Sequence, residues 1–201
     1  MTTTRISFVR HGHVHNPQGV YYGRLPGFNL SERGRVEALA AARELQADQV
    51  AAIFSSPQPR TLETAHAIAA LQSDMVVQVS AALNEVYTPY DGQPIEVMEA
   101  RRWDGYTGSA SEFEQPADVL RRVLDFLADV RASYRGDHVV AVTHGDVIAF
   151  VMLWARGEPL DLNVKELLYR LSVRPGSITT LKFRAEDGAT PSGLDYREPG
   201  G

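Results

Sequence analysis

Two histidines and two arginines of this chain stand just past short apolar runs. Arg10-His11-Gly12 follows Ile6-Ser7-Phe8-Val9, Arg60 lies in Ser55-Ser56-Pro57-Gln58-Pro59-Arg60-Thr61 after Val50–Phe54, and Thr143-His144-Gly145-Asp146 follows Val139–Val142. A neutral imidazole can attack phosphorus, a guanidinium binds non-bridging oxygens as a planar fork, and a glycine between them lets backbone approach closely. Each segment alone is a weak signal. Together they describe a pocket for a dianionic phosphoryl group, provided the fold brings them to one place.

The elements flanking these segments allow that. Ile6–Val9, Val50–Phe54, Met75–Val79, Val139–Val142 and Ile178–Phe183 are short, apolar and rich in β-branched or aromatic residues, and read as strands. Helical patterns lie between them. One is N-capped by Ser31 and runs to about Ala47. A second opens at Ser56-Pro57 and places Arg60 in its first turn. A third carries Val119, Leu120, Val123, Leu124, Leu127 and Val130. A fourth follows Gly145, and a short fifth covers Val164–Leu171. Alternating strands and helices predict a mostly parallel central sheet with helices on both faces, a three-layer α/β/α sandwich. Ligands of such sheets bind beyond the carboxyl ends of the strands, where the three segments begin. Helix N-termini near Ser56 and Gly145 add partial positive charge.

Residues 1–185 are expected to form a single domain. An irregular insertion at about 84–115 holds one helix near Ile95–Arg102, and the glycine- and proline-rich residues 186–201 are expected to be a mobile tail. The length of 201 residues and 44% hydrophobic content suit one sizeable core. A net charge of -5 argues against a nucleic-acid partner, and the absence of cysteine excludes disulfides and thiolate chemistry. No apolar run is long enough to cross a bilayer and no signal-peptide core is seen, so a cytoplasmic protein without a membrane partner is expected. The sequence sets no oligomeric state.

Five motifs in order give a more specific reading: R-H-G at Arg10–Gly12, L-S-x-x-G at Leu30–Gly34, S-S-P-x-x-R-T-x-x-T-A at Ser55–Ala65, L-x-E at Leu83–Glu85 and T-H-G at Thr143–Gly145. In these the chain, from about Arg5 to Phe183, resembles the histidine phosphatase superfamily, the phosphoglycerate mutase-like group. The resemblance implies that fold and a metal-independent phosphatase without a cofactor, of the histidine acid phosphatase type, acting on a small phosphorylated metabolite. It implies that His11 is the nucleophile and forms a phosphohistidine. Arg10, Arg60 and His144 then bind the transferred group, and Glu85 is the general acid and then the base for water. Asn16, Gly23 and Gly145 are assigned to phosphate binding. Tyr87, Tyr90 and Trp103 fall where the resemblance places a substrate cover, and Arg24 is a candidate to reach a second acidic group of the substrate. The chain departs from the family pattern at His13, where an acidic residue is usual, and at Tyr87–Gly92, which replaces G-x-W-E-G.

Three other readings are open to these residues. A phosphoglycerate mutase needs more positive charge over the pocket, and the two lysines, Lys165 and Lys182, both lie outside the insertion. A binding module without turnover would not need Glu85 beside the four central residues. A metal site on His11, His13 and His15 with Asp146 requires the first strand to continue past Gly12, and its arginines would repel the cation.

Overall fold

The structure is a computed structural model that describes residues 2–73, 75–160, 166–167, 170–171, 173–184 and 188–200. Its elements run β1 (Thr3–Arg10), α1 (Glu32–Leu45), β2 (Val50–Ser55), α2 (Pro59–Ala70), β3 (Val77–Val79), α3 (Ile95–Ala100), α4 (Pro116–Ser133), β4 (His138–Thr143), α5 (Gly145–Arg156), β5 (Ile178–Arg184) and β6 (Gly193–Arg197). The sheet order is β3-β2-β4-β1-β5-β6. β3, β2, β4 and β1 are parallel, while β5 and β6 join antiparallel.

Alternation along the strands builds two cores. Ile6, Phe8, Val139, Ala141, Leu181 and Phe183 face α4 and α5, where they meet Val119, Val123, Val147 and Ile148. Val9, Ile53, Val140, Val142 and Ile178 face α1 and α2, where they meet Ala41, Leu45, Ala65 and Ile68. A strand covered on both faces must be apolar throughout, and all six residues of β4 are buried. The layers are therefore those expected, α/β/α.

Helix ends follow local chemistry. The Ser31 side chain accepts from the Gly34 amide at the start of α1. α2 begins two residues later than expected, with Gln58 as N-cap and Pro59 at the first position. The cause is steric, since a residue before proline is pushed out of the helical region, and Ser56 and Gln58 each precede one. α5 ends where Gly157 takes left-handed backbone at φ 68°.

Three further expectations change. β3 is shorter than Met75–Val79, and Val76 is 83% exposed. The segment from 186 is not wholly a loose tail, because Gly193–Arg197 pairs with β5, Leu194 opposite Leu181. A five-residue strand among glycines and prolines has little signal of its own, and the edge of β5 supplies its partner. The helix expected over Val164–Leu171 falls largely outside the described residues, although Glu166, Leu167 and Arg170 have helical backbone. The insertion holds α3 as expected and is otherwise turns.

Candidate active site

The three chemistry-bearing segments meet because β2, β4 and β1 are neighbours and point the same way. Arg10 is level with Thr143, and Ser55 with Val142. The chain continues the ladder for one more residue, with the His11 amide donating to Thr143 O at 3.1 Å and the Ser56 amide to Val142 O at 3.0 Å. His11, Arg60 and His144 thereby leave three adjacent strand ends together.

Close backbone contact then fixes the His11 loop. A Cβ on Gly12 would lie 2.2 Å from Gly34 O, and a Cβ on Gly34 would lie 2.0 Å from His13 O. The glycines of R-H-G and L-S-x-x-G thus let this loop press onto the first turn of α1. Thr64 braces the other side, accepting from the Gly12 amide at 3.3 Å.

His11 is buried, and its Nδ1–H donates to Gly12 O at 2.8 Å, which leaves Nε2 as the unprotonated nitrogen. That Nε2 accepts from Arg60 Nε at 3.2 Å. Burial, then the charges of Arg60 and Arg10, hold the imidazole neutral well below its ordinary range. His144 is neutral for the same reasons, burial first and Arg60 next. Its Nδ1 accepts from Arg60 Nη2 at 3.1 Å, so Nε2–H donates to Ser56 Oγ at 2.8 Å. The two rings meet edge to face, 5.3 Å apart.

Arg60 is fully buried, and its Nη2 also donates to Gly23 O at 2.8 Å. Its guanidinium lies over the Tyr22 ring, 4.8 Å from the centroid. Arg10 donates through Nη1 to Val173 O at 2.6 Å. Arg60 Nη1 and Arg10 Nε are buried donors with no hydrogen-bond partner among the described residues. Buried unpaired donors are costly, so two guanidinium edges kept this way beside His11 suit an incoming anion.

Glu85 closes the site from the opposite side. Its Oε2 stands 3.5 Å from His144 Nδ1 and 3.8 Å from Arg60 Nη2, and burial outweighs the charge of Arg60 and the hydrogen bond from the Val86 amide to push its pKa up. Its position is braced through its backbone. Glu85 O accepts from Arg24 Nε at 2.7 Å and Arg122 Nη2 at 3.3 Å, and Glu114 binds both guanidiniums at 2.7 Å.

A cavity of about 380 Å³ opens over Arg10, His11 and Glu85, with the fully buried Arg60 and His144 behind its wall. Its wall includes Arg10, His11, Asn16, Gly23, Glu85 and Gly145 of the expected site, together with Trp103. Of the expected cover, Trp103 alone is reached, on left-handed backbone at φ 62°. Tyr87 is 44% exposed and packs on Phe113, and Tyr90 lies under Arg101. Arg24 is turned onto Glu114 and Glu85 O, because those oxygens are its nearest partners. Asn16 reaches the cavity wall, but its amide is bonded both ways to the Val20 backbone. His13 and His15 are exposed, and only His13 touches the cavity. Among the described residues no group of three or more His, Asp or Glu is placed to hold a metal ion.

Sequence reasoning missed Tyr21, Tyr22, Val20 and Ile95 in the wall, and Tyr106 behind it. It considered Asp146 only as a metal ligand. Asp146 Oδ2 instead accepts from Tyr106 Oη at 2.8 Å. The T-H-G-D run carried the signal for Asp146, since a residue two past His144 opens α5 at the same strand end.

Known proteins share this sequence pattern and fold. The family model of the histidine phosphatase superfamily (branch 1) matches residues 6–191. The chain is 33% identical over 166 residues to uncharacterized protein Rv0525 of Mycobacterium tuberculosis, covering 78% of this chain and 81% of that one. It is 34% identical over 149 residues to phosphoserine phosphatase 1 of Hydrogenobacter thermophilus, covering 70% of each. Among solved structures it resembles the mycobacterial glucosyl-3-phosphoglycerate phosphatase Rv2419c, with TM-score 0.73 at 25% identity over 97% of this chain and 96% of that one.

Proposed function

The chain belongs to the histidine phosphatase superfamily, and on that premise we propose that it hydrolyses phosphate monoesters of small metabolites through a phosphohistidine on His11, without a metal ion. The observation that carries this reading is the state of His11. Its proton is fixed on Nδ1, its Nε2 lone pair lies within 3.2 Å of a guanidinium, and two buried guanidinium edges beside it are unpaired.

Nε2 attacks phosphorus in line with the ester oxygen, forming the N–P bond as the P–O bond breaks. Arg10 and Arg60 hold the equatorial oxygens as charge develops on them, while the neutral His144 keeps Arg60 in place through its Nδ1. Glu85, whose carboxyl burial pushes toward the protonated form, gives its proton to the departing alkoxide. The resulting carboxylate then takes a proton from water as that water attacks phosphorus. The N–P bond breaks, inorganic phosphate leaves, and His11 and Glu85 return to their starting states. Arginine in place of a metal explains how the site stabilises charge while repelling divalent cations. The scheme is of the histidine acid phosphatase type, with the acid supplied by Glu85. The phosphatase activities named for the relatives support the same reaction class.

The test is hydrolysis of p-nitrophenyl phosphate in EDTA, with acid quenching to trap an acid-labile, alkali-stable phosphoenzyme. His11→Ala should abolish both signals. Turnover by His11→Ala at the wild-type rate, or activity lost to EDTA and restored by a divalent ion, overturns the reading. Mutase turnover on 3-phosphoglycerate exceeding phosphate release would assign the phosphohistidine to transfer instead.

A further inference from the structure

Resting on the phosphatase reading, we propose that Asp146 is a specificity-determining residue: its carboxylate hydrogen-bonds a hydroxyl of the leaving alcohol and rejects leaving groups that carry a carboxylate or a second phosphate. The chemistry above leaves Asp146 unused, yet its carboxyl is in the cavity wall. Oδ2 is oriented by Tyr106 Oη at 2.8 Å, and no cation lies within ion-pair distance of it among the described residues. The groups facing it are Glu85 from the loop after β3, Arg10 from β1, Tyr106 from the insertion and Tyr21 and Tyr22 from the loop after β1.

The surroundings decide what can sit there. Of the described residues that line the cavity, Arg10 is the one arginine and none is lysine. Arg10 belongs to the phosphoryl socket, and Arg24 is turned away onto Glu114. His13 stands at the exposed rim, hydrogen-bonded to Ser31. Beyond the phosphorus, a leaving group therefore meets two carboxyl groups, the Tyr21 and Tyr22 phenols and an apolar wall that includes Val20, Ile95 and Trp103. A hydroxyl finds acceptors here, whereas a second anion finds repulsion. Burial and the charge of Glu85 raise the Asp146 pKa to about 7, so its charge changes within the range of an ordinary assay.

Glycerol 3-phosphate and 3-phosphoglycerate test this directly, because they differ at one terminus, hydroxymethyl against carboxylate. At pH 8 the wild type should favour glycerol 3-phosphate in kcat/KM by about tenfold or more. The preference should narrow toward pH 5.5 as Asp146 takes a proton, and this change should shrink in Asp146→Asn, where only Glu85 still titrates against the substrate carboxylate. Asp146→Asn should bring the ratio at pH 8 to within about threefold. A wild type that prefers 3-phosphoglycerate, or a ratio unchanged in Asp146→Asn, overturns the proposal. Should that variant not fold, the wild-type ratio decides alone, and a flat ratio between pH 5.5 and 8 overturns it. If neither ester nor p-nitrophenyl phosphate is hydrolysed in a His11-dependent way, the phosphatase reading has failed and the proposal falls with it. If p-nitrophenyl phosphate is turned over and the selectivity is wrong, only the role of Asp146 is lost.

Discussion

Replacing Gly34 by alanine should damage both folding and catalysis, although the site is a helix position where alanine is ordinarily better. The new Cβ would lie 2.0 Å from the His13 carbonyl oxygen. An ordinary carbon–oxygen contact is about 3.3 Å, so the loop must retreat by roughly 1.3 Å, and backbone cannot yield as a flexible side chain can. Helix propensity gains about 0.5–1 kcal/mol from the exchange. Against it stand overpacking of about 1–3 kcal/mol and one weakened hydrogen bond of about 1 kcal/mol. The bond at risk is that from the Ser31 amide to His13 O, now 2.9 Å. The net is a loss of about 2 kcal/mol, or a fall of about 4–8 °C in Tm for a chain of this size. The same retreat moves His11 by a similar distance, and a misplacement of about 1 Å can cost on the order of 100-fold in rate. Urea unfolding and kcat/KM on p-nitrophenyl phosphate read the two effects, with Val36→Ala, on the exposed side of α1, as the control that should change neither. A Gly34→Ala protein as stable and as active as the wild type would refute the close-contact argument.

Glu85→Gln should lower kcat on an alkyl phosphate by about 100- to 10,000-fold, and much less on p-nitrophenyl phosphate, whose leaving group needs no proton. Because burial raises the Glu85 pKa, wild-type kcat/KM on alkyl esters should fall as pH rises through it, and this limb should vanish in the variant; an alkyl-ester rate that climbs steadily above neutrality contradicts the acid role. His138 should make the fold acid-sensitive. Burial and Arg5 hold its folded-state pKa at about 4, below the ordinary 6.5, so the unfolded chain takes the proton first. Stability is complete above 6.5 and is lost as pH falls toward 4, about 2 kcal/mol of it between pH 7 and 4.5. His138→Gln should lack that share in urea titrations at the two pH values, and parallel losses in both proteins would count against the assignment.

The convergence of His11, Arg60 and His144 was legible because strand ends are legible. Apolar β-branched runs announce β1, β2 and β4, and once these are parallel neighbours His11, Arg60 and His144 have to converge. The glycine motif at Leu30–Gly34 was visible too, but its cause was not, since His13 O and Gly34 touch only in three dimensions. The cavity wall was the poorer part. Tyr21, Tyr22 and Tyr106 come from segments without periodicity, and a loop aromatic carries no mark of the face it will cover. Arg24 shows the same problem for charge. Nothing near it in sequence distinguishes an arginine that meets substrate from one that meets Glu114, 90 positions away. β6 was missed because a short strand takes its order from the edge it joins.

What the fold adds to the motifs is the anchoring of each guanidinium on one edge. Arg10 is held by Val173 O, in the segment leading into the antiparallel β5, and Arg60 by Gly23 O and His144 Nδ1. Each arginine keeps another edge unpaired among the described residues. A donor already fixed in place needs no reorganisation when charge develops on the phosphoryl oxygens, and that is the source of its value in the transition state. A lysine has one nitrogen at the end of a flexible stem and could not serve scaffold and oxyanion in this divided way. On the proposed mechanism the antiparallel half of the sheet takes part in catalysis without supplying a reacting group, by setting the angle at which Arg10 meets His11.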